Sequence, residues 1–114
     1  GAITVEGASM DLVEVLQKMA PFGTGNAEPR LAFSGVRIAK VDVVGVNHVR
    51  CFITGLDTKK QLAAIAFRCV DTELGQALLH HNGMPLHLVG RLRENIWQGR
   101  SSVQLLIDDA APLG

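Results

Sequence analysis

The spacing of apolar residues changes from a helical to a strand-like period near residue 30. Residues 11–20 predict a short amphipathic helix, since apolar residues recur there every three or four positions. Its predicted apolar side consists of Leu12, Val15, Leu16 and Met19. Asp11 followed by Glu14 resembles a capping box at the start of this helix. Pro21 ends the pattern, and residues 21–29 form a connector rich in turn-forming residues.

From residue 30 onward, apolar and polar residues alternate, which predicts five strands. These are expected at residues 30–44, 48–56, 61–68, 85–94 and 102–108. A second helix is predicted between the third and fourth strands, capped by Asp71 or Thr72 and continuing to about His81. Gly75 inside that helix costs about 1 kcal/mol relative to alanine, so the helix should depend on tertiary packing.

Within the strands, alternation also predicts which side chains face the core. In the second strand the inward residues are expected to be Val49, Cys51 and Ile53, and in the third Ala63, Ile65 and Phe67. In the fourth they are Leu86, Leu88, Gly90 and Leu92, and in the fifth Val103, Leu105 and Ile107. Gly35 is a natural position for a bulge in the long first strand.

Three strands, a helix and two further strands are in the order of an OB-fold. The predicted fold class is therefore all-β with helical additions: a five-stranded Greek-key barrel over residues 30–114, with a helix between strands 3 and 4 and an N-terminal helix. A split α+β sheet is the competing architecture.

Composition indicates one globular domain without obvious catalytic chemistry. The chain has 114 residues, of which 47% are hydrophobic and 19% charged, and its formal net charge is zero. Any binding of nucleic acid must therefore depend on how the charges are distributed. Cys51 and Cys69 lack metal-ligand spacing and are expected to be buried free thiols in a reducing cytoplasm. No run approaches the roughly 18 apolar residues of a membrane span, and no catalytic constellation is present.

OB-folds usually bind ligands across strands 2 and 3, between the loops that join strands 1–2 and 4–5. Basic residues there could neutralise phosphates, and Phe52 or Trp97 could stack on bases, as in proteins that bind single strands. The candidate nucleic-acid-binding residues are Arg37, Lys40, His48, Arg50, Phe52, Arg68, Arg93, Trp97 and Arg100; no catalytic or metal-binding residue is expected.

Several of these features also have purely structural interpretations. Trp97 could plug one end of the barrel, and Phe52 could pack under the N-terminal helix. Arg91 and Arg93 could protect an exposed strand edge. Residues 23–26 could form a backbone nest for an anion, although a tight interdomain turn is the better interpretation.

Several segments resemble the RecJ family of bacterial single-stranded-DNA-specific exonucleases. The connector Pro-Phe-Gly-Thr-Gly-Asn-Ala-Glu-Pro is similar to that family's Pro-Phe-Gly-x-Gly-Asn-Pro-Glu-Pro linker. The later matching segments are Ala64-Ile65-Ala66-Phe67, Val89-Gly90-Arg91-Leu92, Asn95-x-Trp97-x-Gly99, Val103-Gln104-Leu105 and Asp108. The resemblance covers residues 12–109, and Ala27 departs from it where the family usually has proline, which loosens the turn.

The resemblance implies a 5′-to-3′ exonuclease of recombination and repair that uses Mn²⁺ or Mg²⁺ in a DHH core. The Asp and His motifs of that core are not in this chain, and His80-His81 is not a substitute, because the preceding residue is Leu79 rather than an aspartate. Residues 1–29 would be the end of a DHHA1-like region with a helix and linker, and residues 30–114 an OB domain that guides DNA. The implied partners are single-stranded DNA, the DHH/DHHA1 core and a single-strand-binding protein, in the cytoplasm and without a membrane.

A different class of function remains open from the residues themselves. The chain could be an interaction module that braces the nuclease core or docks a partner protein. That hypothesis predicts an apolar surface around Leu12, Leu16 and Phe22 and no intrinsic DNA affinity.

Overall fold

A computed structural model describes residues 1–19 and 28–113 of the chain. These contain two helices and five strands, in the predicted order. The elements are α1 (Met10–Lys18), β1 (Leu31–Val44), β2 (His48–Thr54), β3 (Gln61–Ala66), α2 (Glu73–Leu79), β4 (Leu86–Trp97) and β5 (Arg100–Pro112). The connector at residues 21–27, with Phe22 and the suggested nest, lies outside the described residues.

The five strands close into a barrel in the order β1-β2-β3-β5-β4, with β4 also pairing with β1. All neighbouring pairs are antiparallel except β3 and β5, which are parallel. This is the OB-fold arrangement, so the predicted fold class is confirmed. The register of β1 against β4 shifts between Phe33 and Val36, where Gly35 has a φ of 69°. Glycine adopts that conformation without steric cost, and the predicted bulge is confirmed.

Small side chains fill the part of the core that β3 lines. Leu62, Ala64 and Ala66 are buried there, and Ala64 lies opposite Cys51 on one side and Leu105 on the other. The prediction that Ala63, Ile65 and Phe67 face the core was wrong by one position, and Phe67 is 56% exposed. Both sides of this strand are apolar. Because the interior of the barrel is narrow, the side with the smaller residues, Leu62, Ala64 and Ala66, faces inward.

Helix α1 packs on the barrel partly as predicted, since Leu12 and Leu16 pack against the core, but its buried side is rotated toward Val13. Val13 is 1% exposed, whereas Val15 and Met19 are 54% and 58% exposed. The N-cap is Ser9, whose hydroxyl accepts a hydrogen bond from the Leu12 backbone N–H at 3.3 Å. The predicted capping box beginning at Asp11 was therefore wrong. The helix packs mainly against β4 and β5.

The residues before α1 belong to the same hydrophobic core as the barrel. Ala2 forms a parallel bridge with Ala32 of β1, and the Ile3 backbone N–H donates to the Ala32 carbonyl at 2.9 Å. Val5 and Ala8 are 2% and 4% exposed and pack into the core cluster. The N-terminal segment thus adds buried apolar surface to the barrel.

Helix α2 begins at the predicted cap, since the Thr72 hydroxyl accepts a hydrogen bond from the Gly75 N–H at 3.2 Å. A Cβ atom at Gly75 would collide with the carbonyl group of Cys69, so the helix passes too close to the preceding chain for alanine. The hydroxyl of Thr72 also donates to the Cys69 carbonyl at 2.6 Å. Across the described part of the chain, neither helix has the length and apolar character to cross a membrane.

Candidate nucleic-acid interface

Strand register places several of the candidate residues side by side on the outside of the barrel. Residues that lie opposite each other in a ladder have their side chains on the same face. One row across the sheet therefore runs Lys40, Phe52, Ala63, Gln104 and Arg93. The next row runs Asp42, Arg50, Ile65, Leu106 and Arg91. We call the surface formed by these two rows, with the strand positions that continue them, the outer face.

The hairpin joining β4 to β5 extends the outer face beyond the barrel. Trp97 lies opposite Arg100, and the two-residue turn at Gln98 and Gly99 has φ values of 50° and 77°. Positive φ at both positions is typical of the type I′ turns that close tight hairpins. Alternation from Arg93 puts Trp97 and Arg100 on the outer face. Trp97 is 67% exposed, so the interpretation of this residue as a barrel plug was wrong.

The other end of the outer face is built around the β1–β2 turn. The Arg68 backbone N–H donates to Nδ1 of His48 at 2.9 Å, and Arg68 has a φ of 52°. The His48 ring meets the Phe67 ring at 5.2 Å between centroids and an interplanar angle of 78°. The backbone N–H groups of Cys69 and Val70 both donate to the Asn47 carbonyl. These bonds fix the end of β3 to the turn.

Between the two ends, the outer face carries mixed charge around a half-buried ring. Phe52 is half-buried on β2. The N-terminal helix α1, under which Phe52 could have packed, instead lies mainly against β4 and β5. Arg50 is exposed directly opposite Asp42, and Asp42 is 3.9 Å from the ammonium nitrogen of Lys40. The carboxylate of Asp42 therefore offsets part of the local positive charge.

Arg93 reaches the outer face but already has a carboxylate partner. Its guanidinium contacts both oxygens of Glu28, at 2.6 and 2.8 Å. Arg91 contacts Glu28 at 3.3 Å and holds Asp108 through two hydrogen bonds of 3.0 and 3.2 Å. We call Glu28, Arg30, Arg91, Arg93 and Asp108 the Glu28 cluster, since Arg30 also approaches Asp108 at 3.5 Å.

The Glu28 cluster anchors the end of the connector and changes the pKa of Arg91. Hydrogen bonding to Asp108 is the main cause that raises the pKa of Arg91, and Glu28 adds to it. The cluster ties the end of the connector to β4 through Glu28. The ladder between β1 and β4 reaches only as far as Gly90, so Arg91 and Arg93 lie where β4 pairs with β5, and their interpretation as edge protection stays a prediction.

Arg37 stands apart from the other candidates. Its guanidinium donates to the Gly83 carbonyl at 2.8 Å, which orients it toward the loop between α2 and β4. The structure thus brings Lys40, Arg50, Phe52, Arg93, Trp97 and Arg100 onto one face and joins His48 to Arg68 at its end.

Sequence reasoning missed two residues of this surface, Phe67 and Glu28. Alternation in β3 predicts Phe67 in the core, because both sides of that strand are apolar. Its neighbour Arg68 is the signal in the sequence that this end of the strand is exposed. Glu28 was treated as part of a connector motif. Nothing in the local sequence indicates that its partners are Arg91 and Arg93, more than sixty residues away.

In residues 1–19 and 28–113, no three His, Cys, Asp or Glu side chains group in a way that could hold a metal ion. That part of the chain therefore offers no such cluster for the Mn²⁺ or Mg²⁺ that the resemblance implies.

Comparison with known proteins gives two matches. The family described as the RecJ OB domain matches residues 1–109. The single-stranded-DNA-specific exonuclease RecJ of Bacillus subtilis (strain 168) is 26% identical over 107 residues. The aligned region covers 94% of this chain but 13% of that relative, so the chain spans a small fraction of the relative's length.

Proposed function

Because the chain belongs to the RecJ OB domain family, we propose that it binds single-stranded DNA across the outer face. The observation that carries this proposal is the position of Trp97, which is 67% exposed on the face that also holds Arg50 and Arg100. A large aromatic side chain held in solvent on a tight hairpin offers a flat stacking surface. Base–aromatic stacking contributes about 1–3 kcal/mol per base and tolerates any sequence.

Arg50, Arg100 and Lys40 supply the positive charge for the phosphates in this proposal. Each phosphate that they neutralise releases bound counterions, so affinity should fall as salt rises. The intrinsic affinity is expected to be modest, because the net charge of the chain is zero and Arg93 is paired with Glu28. Tethering to another DNA-binding domain would raise the effective affinity without new contacts.

In the longer protein, the proposed role is to guide the strand toward a DHH nuclease core that lies outside this chain. The relative from Bacillus subtilis is named as a single-stranded-DNA-specific exonuclease, which fits such a substrate. The core and a single-strand-binding protein are the protein partners that accompany this role. Mn²⁺ or Mg²⁺ would act in that core. The domain itself is proposed to be non-catalytic and cytoplasmic.

The first experiment titrates the domain with oligo-dT while following Trp97 emission at low and at physiological salt. Trp97 is the only tryptophan, so the signal reports on the hairpin alone. We expect quenching that weakens steeply with added salt. If emission stays unchanged at high domain concentration and a labelled oligonucleotide also shows no binding, the DNA-binding proposal fails and the bracing function takes its place.

Two substitutions connect the basic residues to the salt dependence. Arg50→Ala and Arg100→Ala should each weaken binding and lower the log–log salt slope by about one unit or less. Lys18→Ala is the matched control, because Lys18 is an exposed cation on α1. It should leave both quantities unchanged. Equal effects at all three positions would indicate general charge attraction rather than contacts on the outer face.

The apolar residues that α1 exposes differ from those that the bracing hypothesis predicts. Leu12 and Leu16 are half-buried and pack against the core, so they expose less apolar surface than predicted, and Phe22 lies outside the described residues. The exposed apolar residues of α1 are Val15 and Met19 instead. Any partner that docks on this helix would have to cover those two side chains.

A further inference from the structure

Phe67 is an exposed aromatic residue that lies outside the buried core of the barrel. It follows β3 directly and continues the alternation in which Ala64 and Ala66 point inward, so its ring points to the outer face. More than half of the residue is exposed, at 56%. Single exposed apolar residues are common on protein surfaces, so exposure alone would carry no conclusion.

The position of Phe67 is nevertheless fixed by a specific set of contacts. The ring of His48 packs against it at a steep angle and covers at most one of its two faces. His48 is itself held by the hydrogen bond that its Nδ1 accepts from the Arg68 backbone. The chain immediately after Arg68 is bonded to the Asn47 carbonyl. An aromatic ring held this way loses little conformational entropy on binding, which favours recognition of a flat ligand.

Arg68 follows Phe67 directly, and the row of residues two positions before Phe67 is part of the proposed DNA path. Ile65, two residues before Phe67, lies opposite Arg50 on β2 and opposite Leu106 on β5. Arg100 lies six residues before Leu106 on β5 and pairs with Trp97. Phe67 and Trp97 are therefore separated by about 26 Å along the strand direction, at roughly 3.3 Å per residue. Arg50 lies between them.

We propose that Phe67 is a second base-stacking platform, so that single-stranded DNA crosses the outer face from the β1–β2 turn to the β4–β5 hairpin. This inference rests on the proposed function. It extends the proposed DNA-binding site to the β1–β2 turn, so that the site has an exposed aromatic ring at each end, Phe67 and Trp97, with Arg50 between them. A path of this length fits the roughly 4–16 nucleotides that OB-folds occupy.

The test compares Phe67→Ala, Phe67→Leu and Phe67→Tyr in titrations with oligo-dT of increasing length. Alanine and leucine should each weaken binding of long oligonucleotides by roughly 5- to 100-fold, because both remove the aromatic face. Tyrosine should bind nearly as well as the parent chain. For the shortest oligonucleotides that still quench Trp97, all three variants should match the parent, since one platform suffices for them.

Met84→Ser is the matched control, because Met84 is 63% exposed in the loop between α2 and β4, outside the proposed DNA path. It should not change affinity at any length. If the parent chain binds with quenching of Trp97 but Phe67→Ala and Phe67→Leu bind long oligonucleotides equally well, the second platform is overturned and the proposed function survives. If the parent chain does not bind at all, both are overturned. Circular dichroism of each variant checks that the exposed substitutions leave the fold intact.

Discussion

Cys51 shows how a single buried thiol connects the core to the pH dependence of stability. It is 1% exposed, and burial raises its pKa from an ordinary value of 9.0 to about 12, with a further contribution from nearby Cys69. The folded state therefore favours the neutral thiol, while the unfolded chain ionises first. Stability should be fully present below pH 9 and should fall as the pH rises toward 12.

This effect can be isolated with Cys51→Ala. Between pH 9 and 11 the parent chain should lose free energy of unfolding faster than the variant, by up to about 1.4 kcal/mol per pH unit. Urea unfolding at a series of pH values gives both slopes, and the comparison cancels the titration of lysines common to both chains. Parallel slopes would mean that the Cys51 thiol ionises as easily in the folded state as in the unfolded one.

Alternation in the sequence predicts the buried residues correctly in a strand with one apolar side. It fails in a strand whose two sides are both apolar. In β2 only one side is apolar throughout, and Val49, Cys51 and Ile53 were correctly predicted to be buried. In β3 both alternations are apolar, so the limited width of the barrel decided the outcome. Gly75 was predicted only as a weak point of α2; its reason, the approach of the Cys69 carbonyl, is a tertiary contact.

At the scale of elements, the Glu28 cluster is the contact that fixes the end of the connector to β4. The side chains are partly shielded, with 19% exposure for Glu28 and 43% for Arg93. Glu28→Gln removes the charge but keeps the shape. We expect it to lower the free energy of unfolding by about 1–2 kcal/mol at low salt, because two arginines lose a charged acceptor. The loss should shrink in 1 M NaCl, at which the Debye length is about 3 Å.

Asp42→Asn provides the control for that measurement. Asp42 is 3.9 Å from Lys40, and the two side chains are 42% and 66% exposed. Exposed pairs with this geometry contribute little, so the variant should change the free energy of unfolding by less than about 0.5 kcal/mol. Urea unfolding of both variants at two salt concentrations makes the comparison. Equal losses for the two would mean that Glu28 acts as an ordinary surface charge.

The elements themselves could be predicted better than their ends. All five strands and both helices follow from periodicity and turn residues, but the β4–β5 hairpin is longer than predicted on both sides. β4 continues to Trp97 and β5 begins at Arg100, because Gln98 and Gly99 form a two-residue turn. The sequence in that region is polar and lacks clear alternation. Pairing between the two strands, rather than local pattern, determines where they end.

At the scale of the whole molecule, the question is whether the N-terminal residues fold with the barrel. The predicted boundary separates residues 1–29 from an OB domain at residues 30–114. Val5 and Val13 from the first part nevertheless lie in the same core cluster as Leu88 and Leu105 from the second. A continuous core favours cooperative unfolding, since neither part can keep its apolar surface buried alone.

Val5→Ala and Val15→Ala test that cooperativity with the same chemical change at two sites. Val5 is 2% exposed and Val15 is 54% exposed. Val5→Ala should lower the free energy of unfolding by about 2 kcal/mol and shift the whole barrel transition, because it removes buried methyl groups. Val15→Ala should cost nothing, since alanine also favours the helix. If Val5→Ala leaves the transition of the barrel unchanged, the N-terminal segment folds independently and the boundary near residue 30 holds. A shifted transition would instead make residues 1–19 a structural part of the barrel, because their buried side chains would then share one cooperative core with β4 and β5.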